Sequence, residues 1–285
     1  MRGESLGLRL SGARSAAVLG RPVAHSLSPL LHRSAYAELG LDWTYTAIDC
    51  GVAELPAVLA ERADWAGFSC TMPLKRALLD VADEVRPVAA AVGAANTLLP
   101  AGGSASGGWA ADNTDVAGIV AALAEHAVAP RSVTILGAGG TAQAALAALT
   151  VLGVDACSVL VRDPARADGV RAVAERLGVG LAFRPLAAEA PEFGADLVIS
   201  TLPAGVADPL AARRWTPGQT VFDVVYSPWP TALAAAADAG GARVVSGALL
   251  LLHQAAAQVS LMTGQEAPVS AMRAALAAAL PTTDL

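Results

Sequence analysis

A mainly apolar strand, Val133-Thr134-Ile135-Leu136, runs into Gly137-Ala138-Gly139-Gly140, and an alanine-rich helical pattern opens immediately afterwards. An apolar strand that turns through glycine into a helix is the opening of a βαβ unit, and such units build parallel sheets covered by helices on both faces. Gly137 permits the tight turn. Gly139 lets a backbone approach a pyrophosphate, and the free N–H groups and partial positive charge of the helix start, at Gly140 and Thr141, favour an anion. Ala142 stands where the common fingerprint has a third glycine and keeps the side chain small. The strand and helix on either side turn a weak glycine pattern into a specific expectation of dinucleotide binding; the alternative is a glycine turn without a ligand.

The next strand of this unit, 157–161, ends at Val161-Arg162-Asp163, with Arg166 following. At this place an acidic residue grips the ribose 2′-hydroxyl of NAD, whereas arginine accommodates the 2′-phosphate of NADP. Arg162 and Arg166 favour NADP. Asp163 opposes it unless the carboxylate instead caps the helical turn opening at Pro164.

Around this unit the chain alternates strand and helix. Strands are predicted at 16–20, 43–48, 67–71, 132–136, 157–161, 197–200 and 220–225. Helices are predicted from Ser28, which can cap one with Pro29 in its first turn, over 54–62, from about Thr114, and after the strands at 132–136 and 157–161, to about Leu152 and Leu177. Residues 1–14 read as a loose tail, 101–108 as a turn between two short strands, and 248–262 with 270–280 as a helical pair folding back on the first half. The 285 residues suit two domains and a cleft. The fold class is α/β, with a substrate-binding α/β domain over 1–112, a Rossmann-type doubly wound dinucleotide-binding domain over 113–246, and C-terminal helices over 247–285.

Composition narrows the partners. A net charge of −6 without a cluster of Lys and Arg excludes nucleic acid as an expected partner. The three cysteines, Cys50, Cys70 and Cys157, are too few and too scattered for a disulfide framework or a zinc site. His25 and His32 lack a third ligand nearby in sequence, so no metal is expected. No apolar run reaches the length of a membrane span, no signal peptide is apparent, and the chain reads as a cytoplasmic monomer or homodimer.

The first half carries polar clusters at strand ends, where open α/β sheets place ligands. They are Ser26-Leu27-Ser28-Pro29, Ser69-Cys70-Thr71-Met72-Pro73-Leu74-Lys75 and Ala95-Asn96-Thr97, followed by Asn113-Thr114-Asp115. Hydroxyls, an amide, a lysine and a carboxylate suit a polyhydroxylated acid. Together with Gly137 to Gly140, Asp223-Val224-Val225-Tyr226-Ser227-Pro228 and Gly247 through His253-Gln254-Ala255, and in this order, they resemble the shikimate dehydrogenase family over most of the chain.

That resemblance implies NADPH-dependent reduction of 3-dehydroshikimate to shikimate in chorismate and aromatic amino acid biosynthesis. It places Ser26, Ser28, Ser69, Thr71, Asn96, Tyr226 and Gln254 around the substrate and Lys75 with Asp115 at the chemistry. Thr201, Val224 and Gly247 join Gly137 to Thr141, Arg162, Asp163 and Arg166 around the dinucleotide. The chain departs from the pattern at Ser69, where many members carry Asn, at Val161 and Asp163 within the usual Asn-Arg-Thr, and in lacking a Met near Leu250. An NAD-preferring quinate/shikimate dehydrogenase is the near alternative, supported by Asp163; a non-catalytic sensor of dinucleotide and small acid is the distant one.

Each residue also has a plainer reading. Lys75 could solvate a helix start, Asp115 could complement a helix dipole, Ser26 and Ser28 could be turn and cap residues, and Tyr226 could simply pack. Gln254, in an apolar helix, is costly unless paired.

Overall fold

The computed structural model describes residues 12–102, 108–280 and 283; the side chain of Arg166, the tail 1–11 and the turn residues 103–107 lie outside the described residues. The strands are β1 (Arg14–Gly20), β2 (Trp43–Asp49), β3 (Gly67–Cys70), β4 (Glu84–Val85), β5 (Thr97–Pro100), β6 (Trp109–Asp112), β7 (Val133–Leu136), β8 (Ala156–Val161), β9 (Gly180–Pro185), β10 (Leu197–Ser200), β11 (Thr220–Asp223) and β12 (Arg243–Ser246). The helices are α1 (Ser28–Glu38), α2 (Leu55–Ala60), α3 (Ala77–Val81), α4 (Pro87–Val92), α5 (Asp115–Glu125), α6 (Gly140–Val151), α7 (Asp168–Leu177), α8 (Ala232–Ala239), α9 (Gly247–Thr263) and α10 (Val269–Ala279).

They form two six-stranded sheets. The second has the order β9-β8-β7-β10-β11-β12, with every pairing parallel. Strands β7, β10 and β11 are buried along their whole length, which is why their sequences are mainly apolar and do not alternate between apolar and polar residues. The strand order reverses between β7 and β10, and that switch point opens a crevice beside Gly137 and Thr201. The first sheet, β2-β1-β3-β5-β6-β4, is mixed: β3 with β5 and β5 with β6 run antiparallel. Its core of Leu19, Leu55, Phe68, Leu74, Leu78 and Leu98 is distinct from that of the second sheet.

The terminal helices return to the first half, as their patterning implies. Leu31 and Ala35 of α1 share a core with Leu252, Ala255 and Val259 of α9 and with Met272 and Leu276 of α10. One detail differs from the sequence reading: Ser28 is the first residue of α1 and does not cap it, and Ser26 Oγ instead accepts the Ser28 main-chain N–H at 3.2 Å. Among the described residues no helix is long and apolar enough to cross a membrane, and no three His, Cys, Asp or Glu side chains gather as metal ligands.

Candidate active site

The two sheets face each other across a cleft whose cavity measures about 380 Å³. Its wall takes Ser26, Ser28, Ser69, Thr71, Lys75 and Asn96 from the first half, Asp115 from α5, and Thr141, Val224, Tyr226, Gly247 and Gln254 from the second half and α9. All seven residues expected around the substrate therefore border one space, together with both residues expected at the chemistry.

Lys75 Nζ lies 2.5 Å from Asp115 Oδ2, with the two side chains 22% and 7% exposed. A pair this sheltered is less screened than a surface ion pair and holds a defined geometry. Lys75 reaches it from the turn after β3, and Asp115 from the first residue of α5, where its carboxylate also meets the positive end of the helix dipole. One carboxylate thus stands both at the helix start and in the cavity wall. Asn113 Oδ1 accepts the Asp115 main-chain N–H at 3.0 Å and so fixes the start of the helix.

Asn96 is the hub of the polar wall. Its Nδ2 donates to Asp115 Oδ1 at 2.8 Å and approaches Gln254 Oε1 at 3.4 Å, while its Oδ1 accepts the Thr114 main-chain N–H at 2.8 Å. Gln254 Nε2 donates to the Leu251 carbonyl at 2.9 Å, so the amide in the apolar helix is paired. Ser69, buried behind the cavity, hydrogen-bonds the Tyr45 hydroxyl. Tyr226 lies half-buried, and burial raises its phenol above the usual range. It packs against the α1–α9–α10 core as well as lining the cavity.

A second groove of about 330 Å³ is lined by Gly137, Ala138, Gly139, Val161, Arg162, Asp163, Leu186 and Leu202. The fit to a dinucleotide is testable here. Gly137 adopts φ +102°, a conformation that disfavours side chains, and a Cβ there would stand 2.7 Å from Thr201 Oγ1. Thr201 in turn donates to the Leu136 carbonyl at 2.8 Å, so its role is to shape the turn as well as to border the crevice. A Cβ on Gly139 would meet no atom within 4 Å, leaving an open cradle at the start of α6. Ala142 is fully buried, consistent with the need for a small residue. Gly140 brings the loop toward the first half: a Cβ on it would lie 3.6 Å from Lys75 Cδ. Asp163 Oδ1 accepts the Ala165 main-chain N–H at 3.0 Å, capping the turn at Pro164, while exposed Arg162 is without an ion pair among the described residues.

Among the cavity residues that escaped the sequence reading of substrate contacts are His25, Cys70 and Gln258. Spacing of polar residues in an apolar helix was the available signal for Gln258, which lies one turn beyond Gln254 on the same face.

Comparison with known proteins accords with this geometry. Residues 18–98 match the shikimate dehydrogenase substrate binding domain, and residues 248–277 match the shikimate 5′-dehydrogenase C-terminal domain. The NADP(+)-dependent shikimate dehydrogenase of Moorella thermoacetica is 38% identical over 272 residues, covering 90% of each chain. Among solved structures, the shikimate dehydrogenase of Mycobacterium tuberculosis is 43% identical with a TM-score of 0.82, covering 93% of this chain and 99% of that one. The Thermus thermophilus shikimate 5-dehydrogenase in complex with NADP(H) and shikimate is 34% identical with a TM-score of 0.81, covering 94% and 100%. The quinate dehydrogenase of Corynebacterium glutamicum in complex with NAD is 28% identical with a TM-score of 0.80, covering 94% and 100%. With a curated relative at this identity over nine-tenths of its length, and with the site motifs in one cleft, the chain belongs to the shikimate dehydrogenase family.

Proposed function

We propose that this chain catalyses the reversible NADPH-dependent reduction of 3-dehydroshikimate to shikimate in aromatic amino acid biosynthesis, with the division of labour set by the boundaries 1–112, 113–246 and 247–285. The observation that carries the reading is the sheltered Lys75–Asp115 pair, in one cavity with Asn96 and Gln254 and beside the glycine loop.

In this reading Ser26, Ser28, Ser69, Thr71, Tyr226 and Gln254 hold the hydroxyl and carboxylate groups of the acid. Gly137 to Thr141 and Arg162 would hold the dinucleotide, which when bound would supply the hydride for the ketone carbon. Lys75 donates a charge-assisted hydrogen bond to the ketone oxygen and delivers the proton it needs as negative charge develops. Asp115 holds the amine in place, and Asn96 holds Asp115. In the oxidative direction the same pair takes the hydroxyl proton.

NADP is favoured over NAD because Asp163 turns its Oδ1 to the Ala165 N–H and leaves Arg162 to meet a 2′-phosphate. Asp163 nevertheless borders the same groove, and this favours, as the second reading, an NAD-preferring quinate/shikimate dehydrogenase. Following absorbance of reduced nicotinamide with shikimate or quinate, and NADP or NAD, separates the two. Preferred turnover of shikimate with NADP supports the first reading; preference for quinate with NAD replaces it with the second, and silence with all four pairs overturns both.

A further inference from the structure

From the cavity wall at Gln258 back into the core runs a line of buried polar side chains that the chemistry above does not use: Tyr36, His32, Gln258 and Thr97, each 0–1% exposed. Their donors and acceptors are assigned by two groups of fixed character. The Asn96 main-chain carbonyl only accepts, so the Gln258 atom 3.2 Å from it is Nε2, which also donates to Thr97 Oγ1 at 3.0 Å. Gln258 Oε1 then faces His32 Nε2 at 3.3 Å, and that nitrogen carries the hydrogen. His32 Nδ1 is left to accept from the Tyr36 hydroxyl at 3.5 Å. At the far end the Thr114 main-chain N–H only donates, which fixes Asn96 Oδ1 beside it. Thr97 Oγ1, 2.9 Å from the same oxygen, therefore donates to it, and Asn96 Nδ2 turns to Asp115.

All the donors point one way, from Tyr36 through His32, Gln258, Thr97 and Asn96 to Asp115, whose other oxygen holds Lys75. We propose that His32, Gln258 and Thr97 are positioning residues that fix the Asn96 amide through this chain, and through it the Asp115 carboxylate and Lys75. The alternative amide orientation would set Asn96 Oδ1 against two further acceptors, Asp115 Oδ1 and Gln254 Oε1, and would strand the Thr97 and Thr114 donors. Directed chains of this kind polarise their members, and a half-satisfied buried network is more costly than none. The imidazole also backs a second part of the wall: it stacks on Tyr45 with ring centroids 3.9 Å apart, and the Tyr45 hydroxyl bonds Ser69. Burial pulls His32 down to about 3, so the neutral ring persists at ordinary working pH.

The inference rests on the reading of Lys75 and Asp115 given under the proposed function. Its test is steady-state kinetics on Thr97→Val, which keeps the shape and removes the hydroxyl, beside Thr97→Ser, which restores it. Thr97→Val should lower kcat/KM for shikimate about tenfold while the KM for NADP stays within twofold, and Thr97→Ser should recover most of the loss. Should Thr97→Val fail to fold, Gln258→Met serves with the same expected outcome. A folded Thr97→Val or Gln258→Met with wild-type kcat/KM, or a Thr97→Ser as impaired as Thr97→Val, overturns the positioning role alone. A wild-type chain that turns over none of the substrate and cofactor pairs overturns the functional reading and this inference together.

Discussion

At the scale of single residues, two ionisable side chains invite opposite experiments. Lys75 is partly exposed to the cleft and paired with Asp115, so its removal should act on the reaction more than on the fold. Lys75→Ala is expected to lower kcat by roughly 10²- to 10⁴-fold, the range for general acid–base groups, with a much smaller change in KM. Unchanged turnover in that variant would remove Lys75 from the chemistry. His32 is instead fully buried and held neutral, its pKa lowered to about 3 by burial. In the unfolded chain it titrates near ~6.5, so between these values the unfolded state binds the extra proton. Stability from this group is therefore complete above about pH 6.5 and declines as the pH falls toward 3, with a limiting slope of about 1.4 kcal/mol per pH unit. Thermal unfolding across pH 4–8 should show a shallower acid decline in His32→Gln than in the parent. Equal declines would mean that His32 is not the buried neutral group described here.

At the scale of elements, the starts of α6 and α9 use glycine for different reasons. Gly247 opens α9 directly against β11: a Cβ there would lie 2.0 Å from the Val224 carbonyl oxygen, which is backbone and cannot swing aside. Gly247→Ala should therefore separate the start of α9 from residue 224, at a cost of about 3 kcal/mol, the upper end for overpacking. Both residues line the cavity, so the Tm should fall and the shikimate KM should rise together. Gly139 has open space around it and an ordinary φ of −80°. Gly139→Ala should leave the Tm near its parent value yet raise the KM for the dinucleotide several-fold, because the methyl enters the anion cradle. A Gly139→Ala protein with unaltered dinucleotide KM would show that the cofactor does not approach this loop.

These element starts also mark what was legible in the sequence. β7 and α6 declare themselves through a mainly apolar strand, a glycine turn and a helix, all local signals, and α9 and α10 through long apolar periodicity. β4, two residues long, and β9, an edge strand without a fully buried residue, give no such pattern. β12 and α8 follow one another in an alanine- and glycine-rich stretch whose composition does not separate strand from helix. In the site, Lys75, Asp115 and Asn96 are readable because their motifs fix them. The partnership of His32 with Gln258 joins residues 226 positions apart, and only the packing of α1 against α9 creates it.

At the scale of the whole molecule, the first sheet and the second keep separate cores, and the cleft between them draws its wall from both halves. A ligand in that cleft would touch the β3 turn and α5 on one side and the 224–226 segment with α9 on the other, so binding would tie together parts of the chain that otherwise meet through α5 against α9 and α4 against α6 and α7. A ligand that binds only the folded chain stabilises it by RT ln(1 + [L]/Kd), about 2.7 kcal/mol at a hundredfold excess over Kd. For a chain of this size that corresponds to a rise in Tm of roughly 5–10 °C, taking ~2–4 °C per kcal/mol. Shikimate alone and NADP alone should each raise the Tm, because the proposed function assigns each a separate groove. The two together should raise it further, since Lys75 of the first cavity lies beside Gly140 of the glycine loop. Scanning calorimetry with either ligand, both, and quinate with NAD in their place measures this directly. A Tm indifferent to saturating shikimate would place the acid outside this cleft, whereas a rise with NADP that vanishes in Arg162→Ala but persists with NAD would locate the 2′-phosphate at Arg162.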